Sequence, residues 1–105
     1  MGVNTTGASN TAVGFNALDS NTTASNNTAV GSASLGVNTT GIENTAVGCT
    51  ALDANTTGTH NTAVGSNALS AATSAVNNVA IGAQAMSSTT GGAYNTAVGN
   101  DALTA

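Results

Sequence analysis

The stretch Asn10-Thr11-Ala12-Val13-Gly14 decides the fold, because it returns at a constant interval along the whole chain. It starts again at Asn27, Asn44 and Asn61, reappears as Asn78-Val79-Ala80-Ile81-Gly82, and regains its first form at Asn95. Every step is 17 residues. Self-similarity at a fixed period is the signature of a repeat architecture and takes precedence over local propensity. Outward from the motif, the unit reads N-T-A-V-G-x-x-A-L-x-x-N-T-T-G-x-x. Residues 4–105 hold six units, 4–20, 21–37, 38–54, 55–71, 72–88 and 89–105, without insertion or deletion, so 1–105 reads as one repeat domain. That regularity predicts coils stacked in strict register.

Counted from the Asn that opens the motif, unit position 1 is Asn10, Asn27, Asn44, Asn61, Asn78 and Asn95. Position 3 is Ala in every unit, and position 4 is Val13, Val30, Val47, Val64, Ile81 and Val98. Position 9 is Leu18, Leu35, Leu52, Leu69, Met86 and Leu103, preceded by Ala everywhere except at Ser34. These columns form the predicted structural ladders, with both apolar strokes, the valines and the leucines, expected to fill the core. Position 13 is Thr throughout.

Helical solenoid units run to 30 residues or more and avoid dense Thr, Asn and Gly. Seventeen residues cannot hold two packed helices. Short strands separated by Gly and Asn corners fit, because Gly supplies positive φ and Asn tolerates it. The reading is therefore an all-β solenoid, a parallel β-roll or β-helix of six coils. At a strand spacing of about 4.8 Å the rod is roughly 29 Å long. Asn columns are expected to form amide ladders up the stack, as in cross-β assemblies. One Val, one Leu and two Ala per coil make a thin core, which predicts either tight small-residue packing or lateral association that buries a further apolar column. Association of several copies is favoured.

Composition removes several function classes. The 105 residues contain no Lys, Arg, Pro or Trp, one Tyr, one Phe and four carboxylates, for a net charge of −4. Without cations there is no counterion-release term for nucleic acid and no attraction to anionic lipid. No apolar run of about 18 residues is present to cross a bilayer, and residues 1–20 lack a basic stretch followed by an apolar one. The sequence predicts no nucleic-acid partner and no membrane insertion. Met1-Gly2-Val3-Asn4-Thr5-Thr6 fits the loose myristoylation pattern, which is too short to carry an assignment.

The chemistry-bearing residues are few. Glu43 and His60 share position 17 of adjacent units, so stacking should set them about one strand spacing apart. Their column otherwise offers no third ligand or nucleophile, and the reading is a solvated surface pair. Asp19 and Asp53 share position 10 with Gly36 between them, and Asp101 sits at position 7; all three read as turn residues. The acidic glycine-rich nonapeptide of calcium-binding rolls and the EF-hand spacing are absent. Cys49 shares its column with Phe15, Ser32, Ser66, Ala83 and Asn100, which reads as an exposed incidental thiol. The Asn-Thr-Thr triplets at Asn4, Asn21, Asn38 and Asn55, and Asn26-Asn27-Thr28, match the glycosylation acceptor, but the ladder reading is preferred. Catalytic residues, cofactor and metal are each expected to be none. The variable positions 6, 7, 10, 11, 16 and 17 are expected to face outward.

The pattern resembles the repetitive regions of phage and bacterial tail-fibre-like proteins. Val79-Ala80-Ile81-Gly82 is also similar to the Val-Ala-Ile-Gly repeats of trimeric autotransporter adhesin heads, whose repeats are shorter than 17 residues. The resemblance covers the whole chain. It implies a trimeric rod, extracellular or carried on a virion, that serves as the shaft or head of an attachment fibre, has a host receptor or glycan as its external partner, and performs no catalysis. Two alternatives stand beside it. The chain starts and stops at repeat edges, which suits either a piece of a longer rod or a subunit of a filament assembled end to end. The Thr columns at positions 13 and 14 suit a monomeric ice-binding solenoid, although position 14 lapses to Ser74 and Gly91.

Overall fold

The Thr-Ala-Val triplets favour extended backbone because β-branched residues fit a pleated surface. In the computed structural model, which describes residues 1–104, five such triplets and the Val79-Ala80-Ile81 triplet form strands. They are β1 (Thr11–Val13), β2 (Thr28–Val30), β3 (Thr45–Val47), β4 (Thr62–Val64), β5 (Val79–Ile81) and β6 (Thr96–Val98). They pair in sequence order in one parallel sheet, with Ala12 opposite Ala29, Ala29 opposite Ala46, and so on to Ala97. The register step is one unit, so the chain is a β-solenoid of stacked 17-residue coils measuring 37 × 23 × 17 Å.

Among the described residues the rest of each coil contains no comparable strand, only isolated bridges such as Thr59 to Val76 and Val76 to Ala93. It turns instead through residues in left-handed backbone. Positions 7, 9 and 17 have positive φ in every coil, as at Asn16 (58°), Leu18 (50°) and Asn26 (63°). The leucine column is the costly one, since a bulky L-residue in this region is disfavoured by roughly 1–2 kcal/mol. Ala17 and Leu18 show what it achieves. Neighbours along a strand point to opposite faces, yet both of these side chains are buried, and so are Ala51 with Leu52 and Ala68 with Leu69. The bend at Leu turns two consecutive apolar residues inward. Burying a Leu side chain returns about 1.5–3 kcal/mol, enough to offset the strain.

The core is therefore a leucine column ending in Met86, two alanine columns, and asparagine. The valine column is not part of it. Val13, Val47, Ile81 and Val98 are exposed, while Val30 and Val64 are half-buried. The expectation that both apolar strokes face inward is thus corrected: Ala at position 3 points in, and the pleat forces Thr and Val on either side of it outward.

Candidate interaction surface

Two internal asparagine ladders hold the surface in shape. At position 1, the backbone N–H of Asn27, Asn44, Asn61, Asn78 and Asn95 each donates to the Oδ1 of the preceding Asn, at 2.9–3.1 Å. The Nδ2 groups of Asn27, Asn44 and Asn61 reach across the interior to the carbonyls of Gly41, Gly58 and Ala75. Asn27, Asn44, Asn61 and Asn78 are completely buried. An amide suits this place because its two donors and one acceptor can all be used in a dry interior, where an unpaired polar group is expensive.

The second ladder lies at position 12. Asn21, Asn38 and Asn55 each donate through Nδ2 to the Oδ1 of the Asn one coil earlier, the first of these being Asn4. The ladder ends because the next residue in the column is Ala72, and Asn55 Oδ1 is consequently buried without a partner. Replacing Ala72 with Asn should supply the missing donor and raise stability by about 1 kcal/mol. Chemical denaturation of the variant against the parent measures it. The same geometry removes Asn21, Asn38 and Asn55 from the pool of glycosylation acceptors, since their amides are buried and bonded.

At position 13 the hydroxyls of Thr5, Thr22, Thr39 and Thr56 donate to the Thr carbonyl of the next coil at 3.0–3.3 Å. That column braces the backbone. At position 14, Thr6, Thr23, Thr40 and Thr57 are exposed, whereas at position 2 of the strands Thr11 and Thr96 are exposed and Thr28, Thr45, Thr62 and Val79 are half-buried.

Glu43 and His60 meet at 2.9 Å between Oε2 and Nε2, with about half of each side chain exposed. Stacking thus brings the two together, as the shared column predicts, on a solvated face where such a pair contributes little. Among the described residues no group of three or more His, Cys, Asp or Glu side chains converges in a way that could hold a metal ion. Cys49 is a free, exposed thiol. Phe15 and Tyr94 stand well out from the surface at 76% and 82% exposure. Of the variable positions expected outside, 6 and 17 are largely exposed, 7, 11 and 16 are mixed, and 10 departs from the expectation, being half-buried everywhere but at Asp19.

Asp19 and Asp53 flank a groove of about 260 Å³ lined also by Asn16, Ser20, Ala33, Gly36 and Val37. It exists because Gly36 leaves the middle of the column bare. Partial burial pushes the Asp53 carboxyl above its ordinary value, opposed in part by hydrogen bonds from the backbone N–H groups of Asp53 and Ala54. A carboxyl whose folded pKa is raised stabilises the fold most below its unfolded pKa of about 3.9, and that contribution is lost as pH rises through the folded value. Asp53→Asn should therefore flatten the pH dependence of the melting temperature in the acid range, and melts of both proteins between about pH 3 and 6 will show it.

Comparison with known proteins returned no matching family model, no matching curated protein and no matching solved structure.

Proposed function

We propose that the chain is a rigid structural segment, shaft or head, of an extracellular or virion-borne attachment fibre in which three copies lie side by side. The observation that carries this reading is the interior: the leucine column and both asparagine ladders run from coil to coil. Such a stack resists bending and can be lengthened by further units, as in other solenoids. The chemistry-bearing side chains stand apart on the outside, at Phe15, Cys49, Tyr94 and the Glu43–His60 pair. The resemblance of the repeats to tail-fibre and adhesin-head sequences supports the place and the threefold assembly. A receptor or glycan on the host would then be met by the variable columns, where one coil differs from the next.

Antibodies raised against the chain test this reading by immunogold labelling of intact cells or virions from the source. Labelling of surface fibres is the expected result, and labelling confined to the cell interior would contradict it. A second reading, ice binding, has one observation in its favour, the exposed Thr6, Thr23, Thr40 and Thr57 one above another at position 14. Thermal hysteresis in a purified sample separates it from the first.

A further inference from the structure

We infer that the interior binds one water molecule, bridging Asn55 Oδ1 and Ala75 O, which stands in for an amide group in the second asparagine ladder. The inference concerns the inside of the rod and goes beyond the fibre reading, on which it does not depend.

The complete rungs show what the place requires. Asn21 Nδ2 directs its two hydrogens to two oxygens, Asn4 Oδ1 at 2.8 Å and Ala24 O at 3.0 Å. Asn38 does the same with Asn21 Oδ1 and Gly41 O, and Asn55 with Asn38 Oδ1 and Gly58 O. Each rung is one group with two donors, set between two acceptors. In the next coil the column holds Ala72, which supplies no donor, yet both acceptors keep their arrangement. Asn55 Oδ1 and Ala75 O stand 2.3 Å and 2.4 Å from the single point that a Cβ on Gly58 would occupy, so they are at most about 4.7 Å apart. In the rung before, Asn38 Oδ1 and Gly58 O stand 2.5 Å and 2.2 Å from the matching point on Gly41, with Asn55 Nδ2 3.0 Å from it.

Water fits this pair of acceptors. Two O–H donors making bonds of about 2.8 Å reach oxygens about 4.5 Å apart. Room is available, because exchanging Asn for Ala removes a carboxamide of three heavy atoms, and a water has one. With no covalent link, the water oxygen settles at van der Waals contact with the Ala72 methyl, about 3.5 Å away. Ala75 O already accepts from Asn61 Nδ2, as Gly58 O accepts from both Asn44 and Asn55, and a carbonyl oxygen has two lone pairs for this purpose.

The other ways of satisfying Asn55 Oδ1 fail. Asn55, Ala72 and Ala75 are completely buried, so bulk solvent does not reach it. Turning the Asn55 amide over would set its oxygen against Asn38 Oδ1 and Gly58 O, which are both acceptors. An ammonium ion has the donors but would carry an uncompensated charge into a neutral interior. A buried acceptor left unpaired is costlier than the immobilisation of one water.

Nuclear Overhauser effects between water and the full chain test the inference, in buffer free of ammonium. The expected result is a cross-peak at the water frequency on Gly58 Hα, with the sign of a proton pair that tumbles with the protein. In Ala72→Asn the introduced amide takes the water's place, and the cross-peak should be lost while the rest of the amide spectrum keeps its pattern. The Thr56 and Thr73 hydroxyls also exchange protons with water, but they are unchanged in that variant, so the loss isolates the bridging site. A crystal structure of the parent should show the water within hydrogen-bond reach of both oxygens. No cross-peak in the parent, a cross-peak undiminished in Ala72→Asn, or a crystal structure in which Asn55 Oδ1 meets a protein donor would each overturn the inference.

Discussion

Replacing Gly48 with alanine is expected to destabilise the fold by about 4 kcal/mol, enough to unfold a domain of ordinary marginal stability at modest temperature. Two effects combine. Gly48 has a φ of 136°, which L-residues rarely adopt, and a Cβ there would stand 2.5 Å from the Gly65 carbonyl oxygen and 2.6 Å from its carbon. The atoms it meets are backbone, and they cannot retreat freely, because Gly65 N–H donates to Val47 O at 2.8 Å in the very ladder that joins the two coils. Gly99 supplies the control. Its φ is 130°, yet nothing lies nearer to the place a methyl group would take than Ala102 Cβ at 3.9 Å. Gly99→Ala should therefore cost only the conformational part, about 1–2 kcal/mol. Equal losses in the two variants, measured by urea unfolding, would mean that the coil-to-coil approach is not what requires glycine.

Asn44→Ala is the second large effect, expected at about 3–5 kcal/mol. The substitution removes the acceptor of the Asn61 N–H and leaves that donor orphaned in a dry interior, at about 1–3 kcal/mol. It also deletes the Nδ2 bond to Gly58 O, the bond from Asn61 Nδ2, and the packing of a fully buried side chain. Asn44→Asp dissects the loss. It keeps an acceptor for Asn61 N–H but replaces the donor to Gly58 O with a carboxylate in an interior that penalises charge. The buried acid's pKa rises, so this variant should be stable at low pH, where a protonated carboxyl can donate again, and should lose stability as pH rises through the folded value. At Asn95, which is exposed, the alanine variant loses the Nδ2 bond to Asn78 Oδ1 and should cost about 1 kcal/mol or less. Urea unfolding of the three variants at several pH values measures the differences.

Much of this architecture can be read from the chain. Constant spacing of Asn10, Asn27, Asn44, Asn61, Asn78 and Asn95 determines the coil length and the register, because an insertion of one residue would shift every later column. The full Asn column at position 1 announces a ladder, because stacked identical amides can pair from rung to rung, while its burial is seen only in the structure. Even the unpartnered Asn55 Oδ1 has its trace in the sequence, at the place where Asn4, Asn21, Asn38 and Asn55 give way to Ala72.

The direction of the valines departs from the simple hydrophobic reading for a physical reason. Hydrophobicity alone puts Val inside, but a three-residue strand has a single inward residue, and the invariant small Ala between Thr and Val takes it. Period-2 alternation carries the signal: Thr at position 2 and Val at position 4 must share a face. The left-handed leucines have no such signal. Leu has no preference for positive φ, and Leu52 stands at 52° where its side chain is buried and its N–H donates to Ala68 O of the next coil. Nor does any motif mark the Asp19–Asp53 groove, because it arises from what Gly36 lacks.

The proposed fibre segment is a solenoid satisfied inside by amide ladders, and its proposed assembly from three copies is open to direct measurement. Light scattering joined to small-angle X-ray scattering over a concentration series tests it most directly. The account predicts a particle with the mass of three 9.9 kDa chains and an elongated envelope. A particle with the mass of one chain and the 37 × 23 × 17 Å dimensions of the single solenoid at every concentration would contradict it.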